Sequence, residues 1–281
     1  MILIFIKLNF TFFTGRIIMY KIGFIGCGNM AKAMIGGIIA KKAALPDEII
    51  ASRRDGEALE SIKNEFGICT ADSNVEVMRG SEIVVLAVKP YMYEKVIEEI
   101  KQDITYDKII ITIAPGKSVA WVKEKFDFDA KIIRTMPNTP ALVGEGMTAV
   151  VPGDNITEDD LKKVMTILNS FGKTEIVSED VMSAVTAVSG SSPAYVFMFI
   201  EAMADAAVAG GMSRASAYKF AAQSVLGSAK MVLETGMHPA QLKDMVCSPA
   251  GTTIEAVRVL EEKGMRSSVI EAMLACAEKA R

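Results

Sequence analysis

Between Ile22 and Ala40 the chain reads IGFIGCGNMAKAMIGGIIA: a short apolar run, a break at Gly26-Cys27-Gly28-Asn29-Met30-Ala31, and a helical pattern beyond it. A buried strand that turns directly into a helix through Gly-x-Gly leaves the first N–H groups of that helix free, and these attract an anion. Gly26 takes the tight turn, Gly28 omits the Cβ that would obstruct a pyrophosphate, and small Ala31 lets the helix lie close to the sheet. With the strand before it and the helix after it both legible, the turn predicts a dinucleotide site.

The pattern around the turn extends this reading. Strands are predicted at Lys21 to Ile25, Glu48 to Ser52, Ile83 to Val88, Lys108 to Ile113, Lys131 to Thr135 and Gly146 to Val151, with helical stretches such as Gly56 to Glu65 and Glu94 to Ile100 between them. Apolar runs such as IVVLAV and IIITI suit strands covered on both faces, and their alternation with helices implies a mostly parallel, doubly wound α/β sheet. Beyond about Asp180 only helices are read. The expected organisation is therefore a Rossmann-like NAD(P)-binding domain over residues 19–180 and an all-α domain over 181–281. Long helices rich in Ala and Met, apolar on several faces, predict burial against a second subunit.

Composition excludes several classes. A net charge of −3 with no basic stripe gives no electrostatic footprint for nucleic acid. Cys27, Cys69, Cys247 and Cys276 are far apart and form no CxxC, so neither a metal knuckle nor a disulfide framework is expected, and a reducing cytoplasm fits. The first eighteen residues are apolar but carry Lys7, Asn9 and Arg16, with no basic start and no small-residue cleavage site. They are read as an extension ahead of Met19, with an added edge strand or an oligomer contact as the alternative. The most tempting membrane span, Ala194 to Met212, contains Glu201 and Asp205, so no membrane association is expected.

The end of the second strand discriminates between cofactors. NAD sites usually carry Asp or Glu there for the ribose hydroxyls, whereas this chain has Ser52-Arg53-Arg54, which suits a 2′-phosphate. NADP is expected, with Asp55 the one feature against it. In the helical part, Ser192 is expected to cap a helix starting at Pro193, Ser213 a second, and His238, the only histidine, a third beginning at Pro239. One histidine cannot build a triad or a multi-His metal site, and no metal is expected. Gly251-Thr252-Thr253 stands before a helix read from Ile254, either as a cradle for a carboxylate or as a plain helix cap. Ser189 to Pro193 and Met136 to Pro140 are each read as a pocket wall or as a simple turn.

Taken in order, GFIGCGNMA, LAVKP, RTMPNTPALVGEG, VSGSSPAYVF and HPAQLKDMVCSPAGTTIEAVRVLE resemble the Δ1-pyrroline-5-carboxylate reductases, over essentially all of residues 19–281. The resemblance implies NAD(P)H-dependent reduction of the cyclic imine 1-pyrroline-5-carboxylate to L-proline, the last step of proline synthesis, in a homodimer assembled further into a decamer. It implies cofactor contacts at Ile25, Gly26, Cys27, Gly28, Asn29 and Met30, at Arg53 and Asn74, at Ala87, Val88, Lys89 and Pro90, and at Ile113, Ala114 and Pro115. It implies substrate contacts at Gly251, Thr252 and Thr253, with Thr253 the catalytic position. Pro115 and Met245 depart from the family pattern. Three other functions compete: a hydroxyacid-type dehydrogenase, for which Lys219, Lys230 or Lys243 would have to serve as acid or base; a non-catalytic NADP sensor, against which the intact Gly251-Thr252-Thr253 turn argues; and a structural or interaction protein, which would leave five strand-end motifs without a reason.

Overall fold

The apolar runs become strands that bury alternate residues on opposite faces of one sheet. The computed structural model describes residues 19–280; the predicted extension over residues 1–18 lies outside them. Eight strands, β1 (Tyr20–Ile25), β2 (Ile49–Ser52), β3 (Cys69–Ala71), β4 (Ser81–Leu86), β5 (Ile109–Thr112), β6 (Lys131–Met136), β7 (Gly146–Pro152) and β8 (Gly172–Ile176), lie in the order β3-β2-β1-β4-β5-β6-β7-β8. All neighbours are parallel except β6 and β7. The carboxyl ends of β1 to β6 therefore share one edge, where ligands of such sheets collect.

Helices cover both faces. On one, α1 (Asn29–Ala40), α2 (Gly56–Phe66) and, further along the chain, α6 (Glu158–Leu168) bury Met34, Ile38, Ile62 and Val164 against Ile22, Phe24, Val85 and Ile111. On the other, α3 (Asn74–Gly80), α4 (Tyr93–Ile100) and α5 (Val119–Phe126) bury Met78, Ile97 and Phe126 against Ile25, Val84, Leu86 and Ile110. Each such side chain contributes about 1.5–3 kcal/mol by leaving water. The fold is the doubly wound one expected. Two of its strands were not predicted: β3 is only Cys-Thr-Ala, too short for a period, and β8 (GKTEI) is a largely exposed edge strand without an apolar run.

After β8 a short turn, Glu179–Val181, leads into α7 (Met182–Val185), a π-helical turn at Thr186–Gly190, and α8 (Ser192–Ala209). The helix is continuous through this region, so Ser192 does not cap it as expected; its hydroxyl donates back to the carbonyl of Val188 at 2.7 Å. Then come α9 (Arg214–Thr235), α10 (Pro239–Val246), α11 (Thr252–Glu262) and α12 (Met265–Lys279). α8 and α9 form a packed hairpin, and α12 lies against α7 and the π turn. The run Glu179–Ala209 is long and apolar enough to cross a bilayer by length and mean hydropathy, 1.3, but it carries Glu201 and Asp205, the latter paired with Arg214.

Two polar links tie the sheet to this helical part. Arg134 on β6 pairs with Glu179 at 2.8 Å, and the same carboxylate oxygen accepts the Val119 N–H at 2.9 Å. Asn138, just past β6, donates to the carbonyl and hydroxyl oxygens of Ser189, both at 3.2 Å, and accepts the Met147 N–H at 2.8 Å. Buried amides with all three contacts made hold their surroundings in one arrangement. The Met136 to Pro140 turn is therefore a clasp onto the π turn as well as part of the strand-end edge.

Candidate active site

The glycine turn has the geometry that a pyrophosphate requires. Gly26 sits at φ +85°, and a Cβ there would stand 2.7 Å from Val88 Cγ1 and 3.0 Å from the Ala87 carbonyl, so only glycine fits without strain. Gly28 is the N-cap of α1 and has no heavy atom within 4 Å of where its Cβ would be. No side chain caps α1 and no acid lies in its first turn, so its opening N–H groups are free to face an anion. Cys27 points inward; burial pushes its thiol up to about 11, against the pull of Arg53 and Lys32, so it is protonated at neutral pH. Ile25 is likewise buried, and what these residues offer a ligand is backbone, while Asn29 and Met30 open the helix.

At the β2 end the three basic-loop residues take different roles. The Arg53 guanidinium donates to the Cys27 carbonyl at 2.7 Å, which swings it over the glycine turn. Arg54 instead turns to the sulfur of Met92 at 3.0 Å. Ser52 is only 2% exposed, and its hydroxyl donates to Asn74 Oδ1 at 2.7 Å, while Asn74 Nδ2 donates to Glu99 at 2.9 Å. Buried Ser52 thus orients the Asn74 amide. Asp55, which argued against NADP, is the N-cap of α2 and accepts the Ala58 N–H at 3.0 Å. Its carboxylate has a structural reason to be there.

The β4 and β5 ends, Ala87 to Pro90 and Ile113 to Pro115, flank the next stretch of the crevice. The Ala87 N–H still bonds the Ile25 carbonyl at 2.8 Å, after which the chain leaves the ladder. Sequence reasoning missed the group between these two ends. Tyr93 is fully buried; its hydroxyl donates to the Leu86 carbonyl at 2.5 Å and accepts the Ile113 N–H at 3.2 Å. Its place at the start of an amphipathic helix reads as ordinary core, and nothing local signals a hydroxyl reaching back to two strands.

In the helical part, α11 begins at Thr252 rather than Ile254, with Gly251 as its N-cap. Neither threonine caps it, no side chain accepts from its first turn, and Ala250 holds φ +54° just before it. The plain-cap alternative for Thr252 and Thr253 is thereby removed, and the N–H groups there are left for another acceptor. Within one protomer α11 packs chiefly on α12, apart from the strand-end crevice. His238 does cap, its Nδ1 accepting the Ala240 N–H at 3.2 Å.

Comparison with known proteins matches both halves. A family model described as pyrroline-5-carboxylate reductase dimerisation covers residues 179–281, and one described as NADP oxidoreductase, coenzyme F420-dependent, covers residues 21–116. The chain is 55% identical to the pyrroline-5-carboxylate reductase of Escherichia coli over 92% of its own length and 96% of that protein's. It is 43% identical to the enzyme of that name from Methanosarcina acetivorans, over 93% of this chain and 97% of the relative. The crystal structure of a Plasmodium falciparum pyrroline carboxylate reductase with NADP bound superposes with a TM-score of 0.85 at 33% identity, covering 93% of this chain and 97% of that one.

Proposed function

The chain belongs to the pyrroline-5-carboxylate reductase family, and from that premise we propose that it reduces 1-pyrroline-5-carboxylate to L-proline with NADPH. The observation that carries the reading is the pairing of an uncapped glycine turn at the strand ends with a second uncapped helix start at Gly251-Thr252-Thr253. One receives a dinucleotide pyrophosphate; the other receives a small carboxylate. NADPH, when bound, supplies the hydride that the C=N carbon accepts.

The protein's own residues bind and orient. N–H groups from Gly28 to Met30 hold the pyrophosphate, and Arg53 with Asn74 holds the phosphorylated ribose. Ala87 to Pro90 and Ile113 to Pro115 hold the nicotinamide end. Gly251, Thr252 and Thr253 hold the substrate carboxylate, and Thr253 reaches the ring nitrogen. A cyclic imine takes its proton from solvent before reduction, so no strong protein acid is required, in keeping with a lone histidine committed to a helix cap. Alignment and exclusion of water supply the rate.

The same reading takes residues 19–180 as the cofactor domain, 181–281 as the substrate and dimer domain, and residues 1–18 as an extension. Two copies join through the helical domain, and such dimers assemble into a decamer in the cytoplasm. Apolar side chains left open on α8 and α9 support the dimer; the family resemblance supports the decamer. Mixing the protein with NADPH and the imine and following the nicotinamide absorbance tests the reaction, with proline as the product to be detected. Absence of imine-dependent oxidation would end the proposal. Arg53→Ala is expected to erase the preference for NADPH over NADH by about 1–3 kcal/mol, and equal use of both cofactors by the unmutated protein would remove Arg53 from that role.

A further inference from the structure

Parallel strands β4 and β5 are last paired at Leu86 and Thr112. The next rung of that ladder would join the Ile113 N–H to the Leu86 carbonyl, and that direct backbone bond is not made, so both groups need another partner. The Tyr93 hydroxyl stands between them and satisfies both, at 2.5 Å and 3.2 Å. Tyr93 is also the first residue of α4, so the same residue that ends the Ala87 to Met92 loop through its backbone reaches back to the loop's start through its side chain. Burial pushes the phenol well above its ordinary range, although the Ile113 and Ala114 N–H groups facing its oxygen act the other way, so it keeps its proton and serves as donor and acceptor together.

We infer that Tyr93 is a positioning residue that sets the gap between the β4 and β5 ends, and so the seat of the nicotinamide half of the cofactor. The inference rests on the cofactor reading above. A hydroxyl inserted between a carbonyl and an N–H holds them one oxygen apart; without it they close on each other or stay unpaired, and the loops that follow move in either case. The adenosine half, held at β1 and β2 by Arg53 and Asn74, does not feel the gap. Tyr93 touches no substrate in this scheme.

The test separates the two halves of the cofactor. Tyr93→Phe keeps the ring and removes only the oxygen; Tyr93→Met fills much of the same space without an oxygen and stands in if the first variant does not fold. With the full chain, NADPH is titrated by the fluorescence of its nicotinamide and adenosine 2′,5′-bisphosphate by calorimetry. The Kd for NADPH is expected to rise about five- to thirty-fold, the effect of leaving buried hydrogen-bonding groups unmatched, while the bisphosphate Kd and the KM for the imine are unchanged. Equal weakening of both ligands, or an unchanged NADPH Kd beside a lowered Tm, would overturn the inference and leave Tyr93 a core residue. An unmutated protein that binds the bisphosphate but not NADPH would overturn the cofactor reading itself, and this inference with it.

Discussion

The sheet half of the molecule buries its apolar residues within one chain; the helical half does not. From β1 to β6 nearly every inward Ile, Val and Phe is closed off by its own helices. Across α8 to α12 the buried set shrinks to Ala204, Ala217, Ala221 and Leu242, while Phe220 is 69% exposed and Leu233 85%. Stability in the first region is encoded by segments close in sequence; in the second it requires another surface, since so broad an apolar face is costly in water. On the proposed function the roles divide along the same line: the Gly26 to Met30 turn is built entirely within the sheet half, whereas Gly251 to Thr253 open α11, which packs chiefly on α12.

Breaking the helical half alone should give the largest effect. The double variant Phe220→Asp/Leu233→Asp places charges on α9 where a second copy would cover them, at a cost on the order of 3–5 kcal/mol for each charge buried without a partner. The expected product is a monomer by sedimentation, with a native sheet domain that binds NADPH and turnover reduced to background. A dimer of wild-type activity would show that α9 faces solvent in the assembly.

The contrast sharpens within the sheet half at two glycines two residues apart. Gly26→Ala forces a Cβ against Val88 and Ala87 at φ +85°; it is expected to lower the Tm and to weaken NADPH by about ten- to a hundred-fold, corresponding to strain of about 1–3 kcal/mol. Gly28→Ala meets nothing in the protein. Its Tm is expected to stay unchanged while NADPH binding falls, because the methyl occupies only the ligand's space. If Gly28→Ala bound NADPH normally, the pyrophosphate would lie elsewhere.

How far the sequence revealed these regions depends on the range of the signal. The Gly-x-Gly turn and the apolar runs are local, and the doubly wound sheet followed from them. β3 and β8 were hidden because three residues, or an exposed edge, carry no period. The cap assigned to Ser192 failed since α7, the π turn and α8 form one continuous run, a tertiary preference that overrides the Ser-Pro signal. Tyr93 and the Asn138 clasp were out of reach for a related reason: each joins residues that share no pattern in sequence. The threonines at 252 and 253 were legible as a helix start, but only the structure assigns the cap to Gly251 and frees them from it.

That assignment makes Thr253→Ala a clean probe of the helical half. With the cap elsewhere, stability is expected to hold. If Thr253 and its neighbouring N–H groups bind the imine, kcat/KM falls by about 1.5–3 kcal/mol, roughly ten- to a hundred-fold, with NADPH affinity intact. Competitive inhibition by proline should weaken in parallel. Lower stability beside undiminished catalysis would return Thr253 to a structural role.

The smallest expected effect concerns how each half responds to acid. Asp160, at the start of α6, accepts from Lys131 at 2.7 Å and from the Thr157 hydroxyl at 2.8 Å, in a capping box that ties the helix to β6. Burial pushes its carboxyl up, but the bonds from Lys131 and Thr157 outweigh that, and the net shift is downward. A carboxyl whose folded-state pKa lies below the unfolded value, about 3.9 for Asp, contributes stability that is fully present above that value and is lost as pH falls through the folded one. Asp160→Asn is therefore expected to cost about 1 kcal/mol near neutral pH, a difference that closes in acid. In the helical half Glu255 is also held below its usual range, by its hydrogen bond from Arg258, but that pair is fully in solvent and screened by salt. Glu255→Gln should leave the Tm unmoved at every pH. Melting curves of both variants from pH 7 down to pH 3 read the contrast directly: an Asp160→Asn deficit that persisted undiminished at pH 3 would show that packing at α6, and not the charge on Asp160, anchors the helix to the sheet.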